Sequence, residues 1–152
     1  MSVVTIENSP MTEFQRLNTG RLWSVMGWDQ LTVLWRCIDP AAGWYLQAVG
    51  ASPAPTFESD AATVNAFIER IDALLHSEHH EAYCGIVYAD DLDNPRLIKI
   101  YDPNNLGSSC GSSKNPPLPG WIMSRVPPDE ILSARPAPEN RKRWWRGLFG
   151  DS

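Results

Sequence analysis

The fold is decided by the stretch that runs from Asp60 to His76, DAATVNAFIERIDALLH. Its large apolar residues recur at spacings of three and four, which places them on one stripe of an α-helix. Asp60, or Ser59 before it, is of a type that caps helix N-termini. We therefore expect an amphipathic helix that ends near His76. Its buried stripe would consist of Val64, Phe67, Ile68, Ile71, Leu74 and Leu75.

Short apolar segments on both sides of this helix predict β-strands. In one of them Leu31, Val33, Trp35 and Cys37 alternate with other residues, a period of two that is typical of strands. We expect the first three segments to form an antiparallel meander. The six predicted strands are Arg21–Trp28, Leu31–Ile38, Trp44–Val49, Ala82–Ala89, Arg96–Tyr101 and Trp121–Val126.

The resulting order is β-β-β-α-β-β-β, which predicts an α+β fold. An antiparallel sheet of about six strands would carry one main amphipathic helix on one face. Pro10 also predicts a short leading helix that stops at Gly20. After the last strand, Asp129–Ala134 predicts a short turn or helix.

The length of 152 residues fits a single domain with its own hydrophobic core. We divide the chain into a domain over residues 1–134, a linker over 135–140 and a basic aromatic tail over 141–152. No apolar stretch reaches about 18 residues, so no transmembrane helix is expected. The three cysteines form neither a disulfide framework nor a paired metal motif, and we see no signal peptide, so a cytoplasmic location is expected.

The charge of the chain is unevenly distributed. The tail contains four cationic residues and one aspartate, which gives it a charge of +3. Because the whole chain has a net charge of −5, residues 1–140 carry a charge of −8. A body of that sign repels nucleic acid and anionic membranes at long range. Nucleic acid is therefore the least favoured partner.

The tail interleaves its cations with large apolar side chains. Arginines and aromatic residues are the types that dominate protein interfaces, so a protein partner is the main hypothesis. Contact with acidic lipids would be reversible, because each cation adds only about 1 kcal/mol near such a surface. Docking of the tail on the acidic body, where it would cover the open sheet face, is favoured alongside a protein partner and ahead of a membrane. The candidate residues are Arg141, Lys142, Arg143, Trp144, Trp145, Arg146, Leu148 and Phe149.

The loop from Asp102 to Gly120 is the second candidate region, because loops this long are often functional. Cys110 lies between glycines and serines, which suggests an accessible thiol that a nearby cation could activate. A flexible connector explains the same composition. The second half of the loop is rich in proline and therefore stiff. It could present a ridge to a partner through Pro116, Pro117, Leu118 and Trp121, or cover the open sheet face.

Two clusters have metal-ligating residue types but not metal-binding spacing. His76, His79 and His80 lie near the end of the predicted helix, where a solvated helix terminus explains them. Asp90, Asp91 and Asp93 lack the glycine and glutamate of a calcium loop and suit a hairpin turn instead. We predict no metal site and no cofactor.

The sequence contains no local signature of a catalytic site or of a nucleotide-binding loop. The main hypothesis is therefore a small non-enzymatic accessory or adaptor protein that binds a protein partner through the proline-rich loop and the tail. The alternatives are a redox or cysteine enzyme that uses Cys110, and a peripheral membrane protein anchored by the tail.

Overall fold

The computed structural model describes residues 10–104, 106, 117–131 and 136–149. Within these ranges the chain forms four helices and five strands, in an α+β arrangement that confirms the predicted fold class. The elements in chain order are α1 (Glu13–Thr19), β1 (Trp23–Val25), α2 (Trp28–Arg36), β2 (Tyr45–Ala48), α3 (Ala61–Glu78), β3 (Val87–Ala89), β4 (Leu97–Ile100), β5 (Trp121–Ser124) and α4 (Glu139–Leu148).

Helix α3 forms where the apolar stripe predicts it. The Asp60 carboxylate accepts a hydrogen bond from the Thr63 backbone N–H at 2.8 Å, and hydrogen bonds from Thr63 lower the pKa of this carboxyl. The helix continues to Glu78, two residues beyond the expected end. Its buried side chains are Val64, Phe67, Ile71, Leu74 and Leu75.

The predicted strand over Leu31–Ile38 is wrong, because these residues belong largely to helix α2. Leu31, Leu34 and Ile38 are buried, a spacing of three and four, whereas Val33 is 55% exposed. The side chain of Gln30 accepts hydrogen bonds from the backbone N–H groups of Met26 and Gly27 at the helix start. These bonds satisfy donors that would otherwise be unpaired before the first helical turn.

The short leading helix is also present, with a different start. Thr12 caps α1 by accepting a hydrogen bond from the Gln15 N–H, while Gln15 bonds back to the Thr12 N–H. This reciprocal pair is a capping box. Helix α1 therefore begins at Glu13 rather than at Pro10 and ends before Gly20.

The sheet is antiparallel with the strand order β1-β3-β4-β5-β2. It has five strands in the described residues instead of about six, since the second predicted strand is a helix. The predicted meander is wrong as well: β1 and β2 lie at opposite edges, and β3, β4 and β5 separate them. After β1 the chain forms helix α2 on a face of the sheet, and this connection carries it to the opposite edge, where β2 begins.

The two faces of the sheet are covered unequally. On one face α2, α3 and α4 enclose the larger core, which contains Leu31, Phe67, Met123 and Trp145. On the other face α1 contributes Phe14 to a small cluster with Leu97 and Ile122. The prediction of one covering helix is therefore corrected to three on the main face, and the second face is covered by a single short helix and loops.

Candidate partner-binding surface

Helix α4 is amphipathic, and its position is set by the residues that it buries. It begins at Glu139, inside the predicted linker, with this acid in the first turn and Arg146 in the last, as the helix dipole favours. Arg141 and Trp145 lie four residues apart on one face and are 7% and 6% exposed. The tail segment 141–149 is thus docked on the domain rather than extended.

Arg141 forms an ion-pair network with two carboxylates from distant parts of the chain. Its Nε and one terminal nitrogen donate to the two Asp102 oxygens at 2.7 and 3.0 Å. The same terminal nitrogen donates to Glu78 Oε1 at 2.6 Å, and Asn104 donates to that oxygen as well. Charge-assisted bidentate pairs of this kind are among the strong hydrogen bonds of proteins. We call Arg141, Glu78, Asp102 and Asn104 the Arg141 network.

The electrostatics of the Arg141 network favour its charged form. Hydrogen bonding to Arg141 lowers the pKa of the Glu78 carboxyl, against the opposing effect of burial. Hydrogen bonding to Asp102 raises the pKa of the Arg141 guanidinium. The side chains of Arg141 and Asp102 are only 8% and 12% exposed, so solvent screens this pair little. The network therefore holds α4 to the end of α3 and to the segment after β4.

Aromatic side chains complete the inner face of α4. The rings of Trp144 and Trp145 lie 6.2 and 6.1 Å from Phe67 on α3, with steep interplanar angles. Trp121 at the start of β5 contacts Trp144 at 5.4 Å between ring centroids. Edge-to-face pairs of this type add to the gain from apolar burial. Trp145 is therefore part of the core, and the partly buried Trp144 packs against it.

The outer face of α4 consists of Arg143, Arg146 and Phe149, which follow one another at spacings of three. All three are exposed, and Phe149 retains 48% of its surface. Neighbours at this spacing have Cβ atoms about 5–6 Å apart on a helix. In the described part of the chain neither arginine forms an ion pair, whereas Lys142 pairs with Glu139 at 3.6 Å.

A fourth residue extends this surface from α3. The guanidinium of Arg70 lies 4.8 Å from the centroid of the Trp144 ring, over its face. Gly147 lies beside this guanidinium, at a distance where a Cβ atom would make an ordinary van der Waals contact of 3.5 Å with an Arg70 nitrogen. Arg70, Arg143, Arg146 and Phe149 together form a cationic and aromatic surface, which we call the α4 outer surface.

The proline-rich segment leads into β5, and its end lies against helix α4. Pro116 lies outside the described residues; Leu118 is exposed, and Pro119 and Trp121 are buried. The guanidinium of Arg141 lies 6.0 Å from the Trp121 ring centroid. The structure thus brings the end of the proline-rich segment and the inner face of α4 together. Trp121, Trp145 and Arg141 are enclosed in this arrangement, while Leu118 and the outer face of α4 remain accessible.

The thiol candidate Cys110 lies outside the described residues. Of the other two cysteines, Cys37 is exposed at the end of α2, and Cys84 is buried beside the start of β3. Burial raises the pKa of the Cys84 thiol, so this thiol is poorly reactive. Neither described cysteine suggests a catalytic nucleophile.

Two histidines at the end of α3, His76 in its last turn and His79 just after it, make contacts within the protein. His79 is buried, and its Nε2 lies 2.8 Å from the Cys84 carbonyl oxygen. The His76 ring lies 4.4 Å from the Trp28 ring, and its Nε2 is 3.4 Å from an Asp72 oxygen. Among the residues that the structure describes, no three metal-ligating side chains converge.

The acidic turn before β4 uses its carboxylates as backbone acceptors. Asp91 accepts hydrogen bonds from the backbone N–H groups of Asp93 and Asn94, which lower the pKa of its carboxyl. Asp90 accepts from the N–H groups of Arg96 and Leu97. The aspartates are therefore explained by their role in the turn, where their carboxylates accept hydrogen bonds from backbone N–H groups.

Sequence reasoning missed the partners that fix α4. Glu78 and Asp102 are 63 and 39 residues from Arg141 in the chain, so no local pattern links them. It also missed Arg70, which lies on α3 outside the predicted apolar stripe. The unusual number of tryptophans was the available signal, because three of the seven meet at this contact or beside it.

Among the helices within the described residues, none has the length and apolar composition that spanning a bilayer requires. Scans against family models, curated proteins and solved structures found no match to this chain.

Proposed function

We propose that this protein is a small accessory protein that binds a protein partner through the α4 outer surface. The observation that carries the proposal is the division of α4 into two faces. Arg141 and Trp145 fix the helix rigidly, while Arg143, Arg146 and Phe149 are left exposed. A rigid helix loses little conformational freedom when a partner binds it.

The composition of the surface supports a protein partner with an acidic patch. Arginine and aromatic side chains are enriched among the residues that contribute most to interface affinity. The exposed guanidinium groups would meet carboxylates, and Phe149 would fill an apolar pocket among them. Charge complementarity of this kind speeds association and selects among partners. Exposed Leu118, three residues before Trp121, is a candidate for the rim.

The same packing disfavours an acidic membrane as the partner. A membrane-surface helix inserts its tryptophans at the headgroup level. In the docked helix Trp145 is 6% exposed and Trp144 packs on Phe67 and Trp121, which leaves Phe149 as the one strongly exposed aromatic side chain of α4. The helix would have to leave the domain, and break the Arg141 network, before it could insert.

Charge reversal on the outer face tests the proposal. The full chain carrying Arg143→Glu with Arg146→Glu is compared with wild type in affinity capture from the native source, read by quantitative mass spectrometry. The matched control is Arg36→Glu with Arg125→Glu, two exposed arginines elsewhere. We expect a partner that the control retains and the outer-face variant loses by at least about tenfold, or 1.4 kcal/mol.

Two outcomes would contradict the proposal. One is an identical set of captured proteins for the three chains. The other is co-sedimentation with vesicles of anionic phospholipid that the outer-face variant abolishes, which would assign the surface to lipid. Thermal unfolding of both variants checks that the fold is intact.

A further inference from the structure

The loop before α3 carries the most exposed large apolar side chain among the described residues, Phe57, which keeps 82% of its surface. Hydrogen bonds fix the loop on both sides of this ring. Before it, the Ala54 N–H donates to a Glu130 carboxylate oxygen at 3.0 Å. After it, the Ser59 N–H donates to the Trp44 carbonyl oxygen at 2.7 Å. Because a fixed loop loses little freedom on association, this ring is well suited to contact a partner.

Three carboxylates lie on the loop and on the turn beside it. Glu58 and Asp60 are exposed, and the Glu58 carboxylate lies against Gly43, where a Cβ atom would come within 3.2 Å of it. Asp39, also exposed, opens the turn that leads to Gly43, and its carbonyl oxygen accepts a hydrogen bond from the Trp44 indole at 2.9 Å. In the part of the chain that the structure describes, none of these acids forms an ion pair. The acidic loop surface is our name for Asp39, Phe57, Glu58 and Asp60.

Helix α4 brings its basic residues toward the same end of the domain. Arg141 in its first turn pairs with Glu78 at the end of α3. Gly147 in its last turn lies beside Arg70, in the middle of α3. The two helices therefore run antiparallel, and α4 ends toward the start of α3. The α4 outer surface thus extends toward the end of the domain that carries the acidic loop surface.

The two surfaces are complementary in charge, and each contains one exposed phenylalanine. The α4 outer surface has three arginines, and the acidic loop surface has three carboxylates, one of which Arg36 at the end of α2 can offset. In a two-fold symmetric dimer the same patch of both copies forms the interface, so that patch must be complementary to itself. A patch with a basic and an acidic half meets this condition. A second copy supplies both charges at once, which a purely acidic partner does not.

We propose that two copies of this chain associate through these surfaces about a two-fold axis. The inference rests on the proposed function, since it names a second copy as a partner of the α4 outer surface. The arginines of one copy would face the carboxylates of the other, and Phe149 would pack beside Phe57 of the second copy. Both contacts occur twice. Because the charged groups are exposed, salt weakens the association.

Sedimentation velocity with the purified full chain tests the dimer. We expect a shift from monomer to dimer by about 100 µM at low salt, and a weaker dimer at about 0.5 M salt. Phe57→Ser should weaken dimerisation at least about tenfold. The matched control is Met26→Ser, which changes an exposed apolar residue at the opposite end of α2 and should have no effect. A wild-type chain that stays monomeric up to about 500 µM, or a Phe57→Ser variant that dimerises like wild type, would overturn the proposal.

An exchange of charges locates the interface. One variant carries Arg143→Glu with Arg146→Glu, and the other carries Asp39→Arg with Glu58→Arg. Each variant alone should remain monomeric, because like charges meet at both contacts. An equimolar mixture should dimerise again, since both contacts regain opposite charges. Circular dichroism checks that both variants are folded, and absence of a heterodimer from two folded variants would also overturn the proposal.

Failure of this inference and failure of the proposed function give different results. If the wild-type chain is monomeric while the outer-face variant loses a captured foreign protein, the proposed function stands and the dimer is refuted. If dimerisation is lost in that variant while every foreign protein is still captured, the surface serves the second copy alone. Unchanged capture together with a monomeric wild-type chain would refute both.

Discussion

The inner and outer faces of α4 carry the same residue types and use them differently. On the inner face an arginine meets two carboxylates and a tryptophan is enclosed by other rings. On the outer face two arginines form no ion pair in the described structure, and Phe149 stays 48% exposed although its ring contacts Trp145 at 5.0 Å between centroids. The comparison teaches that a basic aromatic terminus need not act as one unit. The inner face of the helix can hold it on the domain, so that the outer face stays accessible to a partner.

Truncation of the two aromatic residues should give the largest difference between the faces. Trp145→Ala removes a side chain that is 6% exposed and leaves a cavity, so we expect the free energy of unfolding to fall by about 3–5 kcal/mol. Phe149→Ala should cost less than about 1 kcal/mol, since half of that ring already faces solvent. Urea unfolding followed by tryptophan fluorescence measures both. Equal losses for the two variants would refute the division into faces.

Loss of the buried arginine should have the next largest effect. Arg141→Met leaves Asp102, which is 8% exposed, without its counter-charge, and we expect a loss of about 3 kcal/mol. The matched variant Arg143→Met should change stability by less than about 0.5 kcal/mol. The measurement is again the free energy of unfolding. A loss below about 1 kcal/mol in Arg141→Met would mean that the ion pairs contribute little to docking.

Acid should weaken the inner face through Glu78. Because the folded-state pKa of this carboxyl lies below its ordinary value, its contribution is fully present above about pH 4.3 and disappears as the pH falls through the lowered pKa. With a third of its side chain exposed, we expect about 1 kcal/mol. Glu78→Gln should therefore be less stable than wild type at pH 7, and the difference should shrink as the pH falls through the lowered pKa of Glu78. A difference independent of pH would contradict this assignment.

Removal of charge from the outer face should have the smallest effect on folding. The double variant Arg143→Ser with Arg146→Ser breaks no ion pair in the described structure, so stability should stay within about 0.5 kcal/mol of wild type. Circular dichroism and thermal unfolding check the fold. A large loss would show that these arginines hold the helix instead of serving a partner.

The sequence predicts well those elements whose evidence is local. The stripe of α3 and its Asp60 cap decide the main helix, and the short apolar runs around Leu46, Ile98 and Met123 decide three strands. Each of these signals lies within a few residues of the element that it predicts. The α+β class follows from them without knowledge of the pairing.

Helix α2 shows where periodicity alone fails. Residues 31–38 are apolar at both strand and helix spacings, and β-branched and aromatic residues among them favour a strand. The deciding features were Asp29 in the first turn and Gln30 bonded back to Met26 and Gly27. Tertiary packing then fixed the helical register, in which Leu31 and Leu34 are buried and Val33 is not.

The candidate site was predictable in composition but not in geometry. The composition of the tail predicts a basic aromatic surface. Which of its residues are exposed depends on contacts with Glu78, Asp102 and Phe67, which are distant from the tail in the sequence. The contact between the Tyr88 and Tyr101 rings depends likewise on the pairing of β3 with β4. Such long-range relations carry no local sequence signal.

The unequal exposure of Cys37 and Cys84 allows opening of the core to be measured by thiol labelling. An alkylating reagent reaches Cys37 without any motion of the protein, whereas Cys84, fully enclosed, reacts only when the core opens. When the core recloses faster than the reagent reacts, the ratio of the two labelling rates, separated by peptide mass spectrometry, therefore reports the open fraction of the core. Ligands or partners that tighten the core would slow one reaction and leave the other unchanged.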